Sequence, residues 1–326
     1  MTCADLVADS DVAVALASPA ALTDFVGLLS YPTPRDFASV AAGGIRCAWL
    51  ADGSTGTYSD IVGGPGVPWL DVQVLPGAAE TWTSYTFGDG PGTDATTPFA
   101  GFDGAHSCGD PGCKATAPIG SAWVSIMVHD PGFGVGDSLV GSSQDDIFAK
   151  LAPAAEALFS TVANATAGQL DWPAVPAGTA GPTAEACSSV LEPAALANAL
   201  GVTTIGEYAD SADVASDLVS VESIAAGDAG FVTCSAEAGF DARANFVLAL
   251  GNASIVDRIA AGLGPQSAGH LDALEGQTGG EKAVSNCDDD HPMCDLWFSV
   301  GTDAIYVALG SSDPTAIAEA IIAQAR

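Results

Sequence analysis

Eight cysteines, Cys3, Cys47, Cys108, Cys113, Cys187, Cys234, Cys287 and Cys294, fall into two sets of four with nearly one spacing. Cys187 follows Cys3 by 184 positions and Cys234 follows Cys47 by 187; Cys287 follows Cys108 by 179 and Cys294 follows Cys113 by 181. Offsets this close point to an internal duplication with small insertions. The surrounding text repeats as well: GGIRCAWLADG (43–53) matches AGFVTCSAEAG (229–239), and WLDVQVLPGA matches ANFVLALGNA. The expected organisation is a first copy over 1–170, a linker over 171–184 rich in Pro, Gly, Ala and Thr, and a second copy over 185–326.

An even cysteine count with no CxxC argues against zinc ribbons and thioredoxin-like sites and fits an oxidising compartment. The close pairs settle the character of the most chemical-looking stretch, CDDDHPMC (287–294). Its counterpart, CGDPGC (108–113), keeps both cysteines and a proline but has no histidine and one acid. A metal site would be lost in the first copy, whereas a bridged turn survives in both. Cys108–Cys113 and Cys287–Cys294 are therefore expected as disulfides closing surface turns, with no metal or other cofactor required. Weak calcium binding by Asp288, Asp289 and Asp290 is the minority reading, because consecutive carboxylates cannot all face one ion. Four cysteines per copy allow three connectivities; the choice made here leaves Cys3–Cys47 and Cys187–Cys234 as the remaining bridges.

Within each copy the pattern predicts a helix holding the first cysteine, then a strand holding the second (Ile45–Leu50, Phe231–Ala236). A second strand follows (Leu70–Leu75, Ala244–Leu250). After the close cysteines comes a strand or hairpin (Ala122–Val128; Asp295–Val300 with Ala304–Leu309), and then a closing helix. The second copy adds a short helix in SIVDRIAAGLG, with Ser254 as its cap. The expected class is α+β: a tandem duplication of a small disulfide-bridged domain, with an antiparallel sheet flanked by N- and C-terminal helices.

Charge narrows the partners. Forty Asp and Glu face eight Lys and Arg, a formal net charge of -32, which repels nucleic acid and anionic headgroups. The field reads as a solvated acidic surface, or as adaptation to high salt or basic partners. No apolar run is long enough for a transmembrane helix, and no basic leader opens the chain. If the protein is exported, its targeting segment lies upstream of Met1.

The early helix with Cys3, the interval of about 45 residues, and RCAW (Arg46–Trp49) followed by ADG and LDVQVLPG resemble a family of actinobacterial secreted lipoproteins of unknown function. Similar α+β domains serve as extracellular sensors of bacterial receptor kinases and occur in PsbP-like and Mog1-like folds. The resemblance covers residues 1–77; the second copy departs from it, since Ser235-Ala236 follows Cys234 with no tryptophan. It implies a Cys3–Cys47 bridge, an extracellular or cell-envelope location, and no known enzymatic activity; a lipid anchor on a segment outside this sequence is compatible with that location but is not implied by it.

No metalloprotease, nucleophile-elbow or phosphate-loop motif occurs. Aromatic residues concentrate in the first copy, and Trp82, Tyr85, Phe87, Phe99 and Phe102 sit in a glycine-rich stretch suited to a ligand groove. These five are the candidate ligand-binding residues; no catalytic residue is assigned. The expected function is non-catalytic binding or sensing outside the cytoplasm, by a monomer, of a small molecule, peptide or cell-wall component. The alternatives are a structural or interaction component of the envelope, and a hydrolase working from the aromatic loop. A buried carboxylate beside His106 or His129 would favour the hydrolase; tryptophans lining a groove without that pair would favour binding.

Overall fold

The computed structural model describes residues 1–29, 32–51, 68–84, 96–109, 112–129, 142–174, 183–208, 220–238, 242–262, 270–285, 295–308 and 311–326. The chain is α+β and divides into two compact units, each built on one antiparallel sheet. The first unit comprises Met1–Ser30, Ala38–Ala174 and Asp217–Ala225; the second comprises Tyr31–Phe37, Val175–Ser216 and Ala226–Arg326. Each therefore takes in a short segment from the other half of the sequence. No described helix is long and apolar enough to cross a membrane.

The first unit opens with α1 (Cys3–Leu6) and α2 (Asp9–Ala15). Thr2 and Asp5 cap α1 reciprocally: the Thr2 backbone N–H and hydroxyl donate to Asp5 Oδ2 at 2.7 and 2.8 Å. Then come β1 (Ala20–Thr23), α3 (Pro34–Ala41), β2 (Ile45–Ala51) and β3 (Trp69–Leu75). The sheet is completed by β4 (Thr97–Phe99), β5 (Phe102–Gly109), β6 (Gly112–Ile119) and β7 (Ala122–His129), in the order β1-β2-β3-β7-β6-β5-β4. The long α4 (Gln144–Asn164) closes the unit. Its buried residues, Ile147, Leu151, Ala154, Ala155, Leu158, Phe159 and Val162, recur at three- and four-residue steps. They form the stripe a helix lays on a sheet. With α1 and α2 they bury one sheet face, where Cys47, Trp49, Val72, Val74, Val124, Ile126, Ala115 and Ala117 complete the core.

The second unit runs α5 (Thr183–Val190), α6 (Pro193–Ala199), β8 (Val232–Ala238), β9 (Ala242–Ala249), α8 (Ser254–Gly262), β10 (His270–Asp272), β11 (Ala283–Ser285), β12 (Leu296–Val300), β13 (Asp303–Val307) and α9 (Pro314–Gln324). Before β8 lies α7 (Val221–Asp228), whose first residues belong to the first unit. The sheet order is β10-β11-β12-β13-β9-β8. Read from β8, this is the sequence of neighbours that β2, β3, β7, β6, β5 and β4 follow in the first sheet.

Among the described residues three disulfides are present: Cys3–Cys47, Cys108–Cys113 and Cys187–Cys234. The first and third each tie a unit's opening helix to a strand. Cys108–Cys113 is the expected short bridge, and it joins directly opposed residues near the ends of β5 and β6. Cys287 and Cys294, with Asp288, Asp289 and Asp290, lie outside the described residues. Two further differences from the sequence reading concern caps and strands. Ser254 is the first residue of α8 rather than its cap, and β5 and β6 are eight-residue strands around the close cysteines, where only a bridged turn was expected.

Candidate functional site: the polar face of the first sheet

Strand geometry sends alternate side chains to opposite faces. On β3 this places Leu70, Val72 and Val74 in the core and Trp69, Asp71 and Gln73 on the other side. Yet all seven residues of β3 are buried, because the second face is covered as well. Register brings Arg46 opposite Gln73, Ser125 opposite Gln73 on the other flank, His129 opposite Trp69, and Lys114 opposite Met127. Arg46, Asp71, Gln73, Ser125, Lys114, Thr116 and His129 thus share one face.

Arg46 grips Asp71 with two hydrogen bonds: Nε donates to Oδ1 at 3.0 Å and Nη2 to Oδ2 at 2.9 Å. Both side chains are only 5% exposed. The guanidinium also lies 4.7 Å from the Phe25 ring centre, a cation–π contact. Burial pushes the Asp71 carboxyl up, but the Arg46 charge and the nearby His129 more than offset this and hold it well below the usual carboxylate range. His129 Nε2 is 3.6 Å from Asp71 Oδ2, close enough to interact electrostatically but beyond hydrogen-bond length. That buried nitrogen has no hydrogen-bond partner among the described residues. The imidazole stacks on Trp69, with centroids 3.8 Å apart and planes 7° from parallel.

The network continues from Gln73. Its amide oxygen accepts from Ser39 Oγ at 2.7 Å, and its Nε2 donates to Glu222 Oε1 at 2.9 Å. Lys114 Nζ approaches the same Glu222 oxygen at 3.8 Å. Burial raises the Glu222 carboxyl, but Lys114, the residue's own backbone N–H, the Ser220 hydroxyl and Arg46 bring it below its ordinary value. Beside this, Thr116 Oγ1 accepts from the indoles of Trp82 (3.3 Å) and Trp123 (2.7 Å) and donates to Val124 O (3.0 Å).

Of the five aromatic candidates, the three among the described residues, Trp82, Phe99 and Phe102, do not converge. Trp82 belongs to the polar face through Thr116. Phe99 and Phe102 pack on the helix side, edge-on to Phe148 and Phe159, with centroids 5.5 Å apart in both pairs. Tyr85 and Phe87 lie outside the described residues. His106, tilted against Phe99 and edge-on to Phe148, shares a polar contact of 3.1 Å with Thr97 Oγ1 through Nδ1; burial lowers its pKa. Among the described residues no carboxylate pairs with His106. Sequence reasoning named His129 but missed Arg46, Asp71, Gln73, Lys114 and Glu222. The available signal was two acceptor-bearing residues, Asp71 and Gln73, alternating with apolar residues in a strand beside RCAW.

The second sheet carries different chemistry at the matching positions. With the sheets aligned on Cys47 and Cys234, the registers set Thr233, Asn245, Val247 and Asp295 where Arg46, Asp71, Gln73 and Lys114 stand. Tyr306 and Trp297 take the places of Ser125 and Thr116. Tyr306 OH donates to Asp295 Oδ1 at 2.7 Å. Burial, then the Asp295 charge, raises the phenol and keeps it neutral. The charged network is thus a property of the first sheet.

Neither a protein-family model, nor a curated protein, nor a solved structure matches the chain.

Proposed function

We propose that the protein is a non-catalytic binding or sensing module working outside the cytoplasm, with its ligand site on the polar face of the first sheet. The observation that carries this reading is the buried His129 Nε2, without a hydrogen bond among the described residues and stacked on Trp69 beside a preorganised Arg46–Asp71 pair. Buried polar atoms are normally satisfied, so this one is suited to a ligand. Arg46 occupies both Asp71 oxygens, which leaves that carboxylate poorly placed to accept a proton.

The matching strand orders support a tandem duplication, with copies over 1–170 and 185–326 joined by 171–184. So does the shared placement of the helix–strand disulfides. The bridges also favour an oxidising location in the envelope or medium. On this reading the second copy keeps the scaffold while the first carries the site. Resemblance to secreted lipoproteins fits the same picture.

The test is intrinsic tryptophan fluorescence titrated with amino acids, short peptides and cell-wall saccharides. One class should produce a saturable change that shrinks in Trp69→Phe. A flat response across all three classes would overturn the reading. The hydrolase reading retains one favourable observation, the approach of His129 to a buried carboxylate. Hydrolysis of ester or amide probes by the native chain, lost in His129→Gln, would support that alternative.

A further inference from the structure

Only eight Lys and Arg occur in the chain, and two of them, Arg46 and Lys114, are largely buried on one sheet face. Asp71 neutralises Arg46 there. The other acid of the network, Glu222, comes from a segment 149 positions away from Gln73 and reaches over β7 to meet Gln73 on β3 and Lys114 on β6. Remove that carboxylate, and Arg46 and Lys114 face Asp71 as the remaining acid of the described network, with the Gln73 amide donor turned to the vacated place. Gln73 is held in that orientation by Ser39, whose hydroxyl fixes the amide oxygen. A preoriented amide N–H and an ammonium converging on one oxygen are the donor set for a carboxylate.

From this geometry we infer that Glu222 occupies the carboxylate subsite of the binding face, and that a ligand bearing a carboxylate docks between Gln73 and Lys114 by displacing it. The ligand class is a small carboxylic acid or the acidic group of a peptide. Discrimination against neutral analogues follows, because an uncharged group would leave Lys114 buried without its counter-charge. Glu222 sets a threshold: a ligand binds only when its other contacts outweigh the internal carboxylate it replaces. The inference rests on the binding reading proposed above and names the ligand's chemistry.

The test vacates the place and offers it a free carboxylate. Glu222→Ala should melt below the native chain, and acetate or propionate should raise its midpoint saturably by several degrees, while chloride at equal ionic strength does not. The native chain should need at least tenfold more acetate for the same shift. Adding Lys114→Met to Glu222→Ala should abolish the response. Identical acetate and chloride curves for Glu222→Ala, or an undiminished response in the double variant, would overturn the inference. If Glu222→Ala does not fold, Glu222→Gln keeps the shape without the charge, and the same two titrations decide. A flat result here beside a saturable ligand response of the native chain refutes the carboxylate subsite alone; a native chain that responds to none of the ligand classes refutes the binding reading.

Discussion

Asp71 is the residue on which the polar face depends. A buried ion pair is costly to break and far less costly to replace, because a remaining partner stays charged away from water. Asp71→Asn is therefore expected to lower stability by about 3–5 kcal/mol, and Arg46→Met by a comparable amount. Arg46→Met with Asp71→Leu should lose clearly less than the sum, and denaturant melts of the four proteins would measure the coupling. Additive losses would show that the pair is not a unit. The sequence made Asp71 and Gln73 look like the wet side of a half-covered strand, since alternation alone reads that way. What buries them is Ser39 from α3 and Glu222, neither of which local periodicity in β3 can announce. Arg46 was legible only as a neighbour of Cys47.

At the scale of elements, what was legible followed local chemistry. Strands β2, β3, β8, β9 and β7 alternate or run apolar, and α4 and α9 start on capping residues: Ser143 accepts from Asp146 N, and Asp313 from Ala316 N. Strands β5 and β6 escaped because glycine weakens strand propensity. Their glycines answer to packing instead. A Cβ on Gly104 would fall 2.5 Å from Thr116 O, and one on Gly112 would fall 2.0 Å from Val128 O, so only glycine lets these strands approach. The helix α3 was missed although Thr33 and Asp36 mark its start, with the Thr33 N–H donating to Asp36 Oδ2 at 2.8 Å. Two predictions belong here. Residue Ala17 follows α2 with φ 49°, where Gly201, after α6, has φ 66°. Replacing Ala17 by Gly should stabilise the protein by about 1 kcal/mol, since an L-residue is strained in that region; a lower melting midpoint would contradict this. The disulfide Cys3–Cys47 spans 44 positions and Cys108–Cys113 only 5. In the chain-entropy model they contribute about 4 and 2 kcal/mol. The double Cys→Ser variant of the long bridge should therefore lose more in urea melts than that of the short one.

For the whole molecule, pH dependence has two opposing parts. The net charge of -32 makes the folded chain repel itself, so mild acidification should first raise the melting temperature. The carboxyls of Asp71, Glu222 and Glu281 then act in the opposite sense. Burial raises Glu281, but Arg326 and the backbone N–H groups of Gly301 and Thr278 bring it down to about 2. A carboxyl lowered in the folded state contributes stability that is fully present above its unfolded value, about 4.3 for Glu. That stability is lost as pH falls through the folded value. The melting temperature should peak near pH 4 to 5 and drop steeply toward pH 2, less steeply in Glu281→Gln; a profile that rises monotonically to pH 2 would contradict this. The central claim is that ligand binding belongs to the polar face of the first sheet. Hydrogen exchange followed by mass spectrometry, with and without the compound that saturates the fluorescence signal, tests it most directly. Slowed exchange should concentrate in peptides covering β3, β6 and β7 and in the segment around Glu222, with β8, β9, β12 and β13 unchanged. Protection confined to the second sheet, or to the helices covering the core face, would contradict the claim.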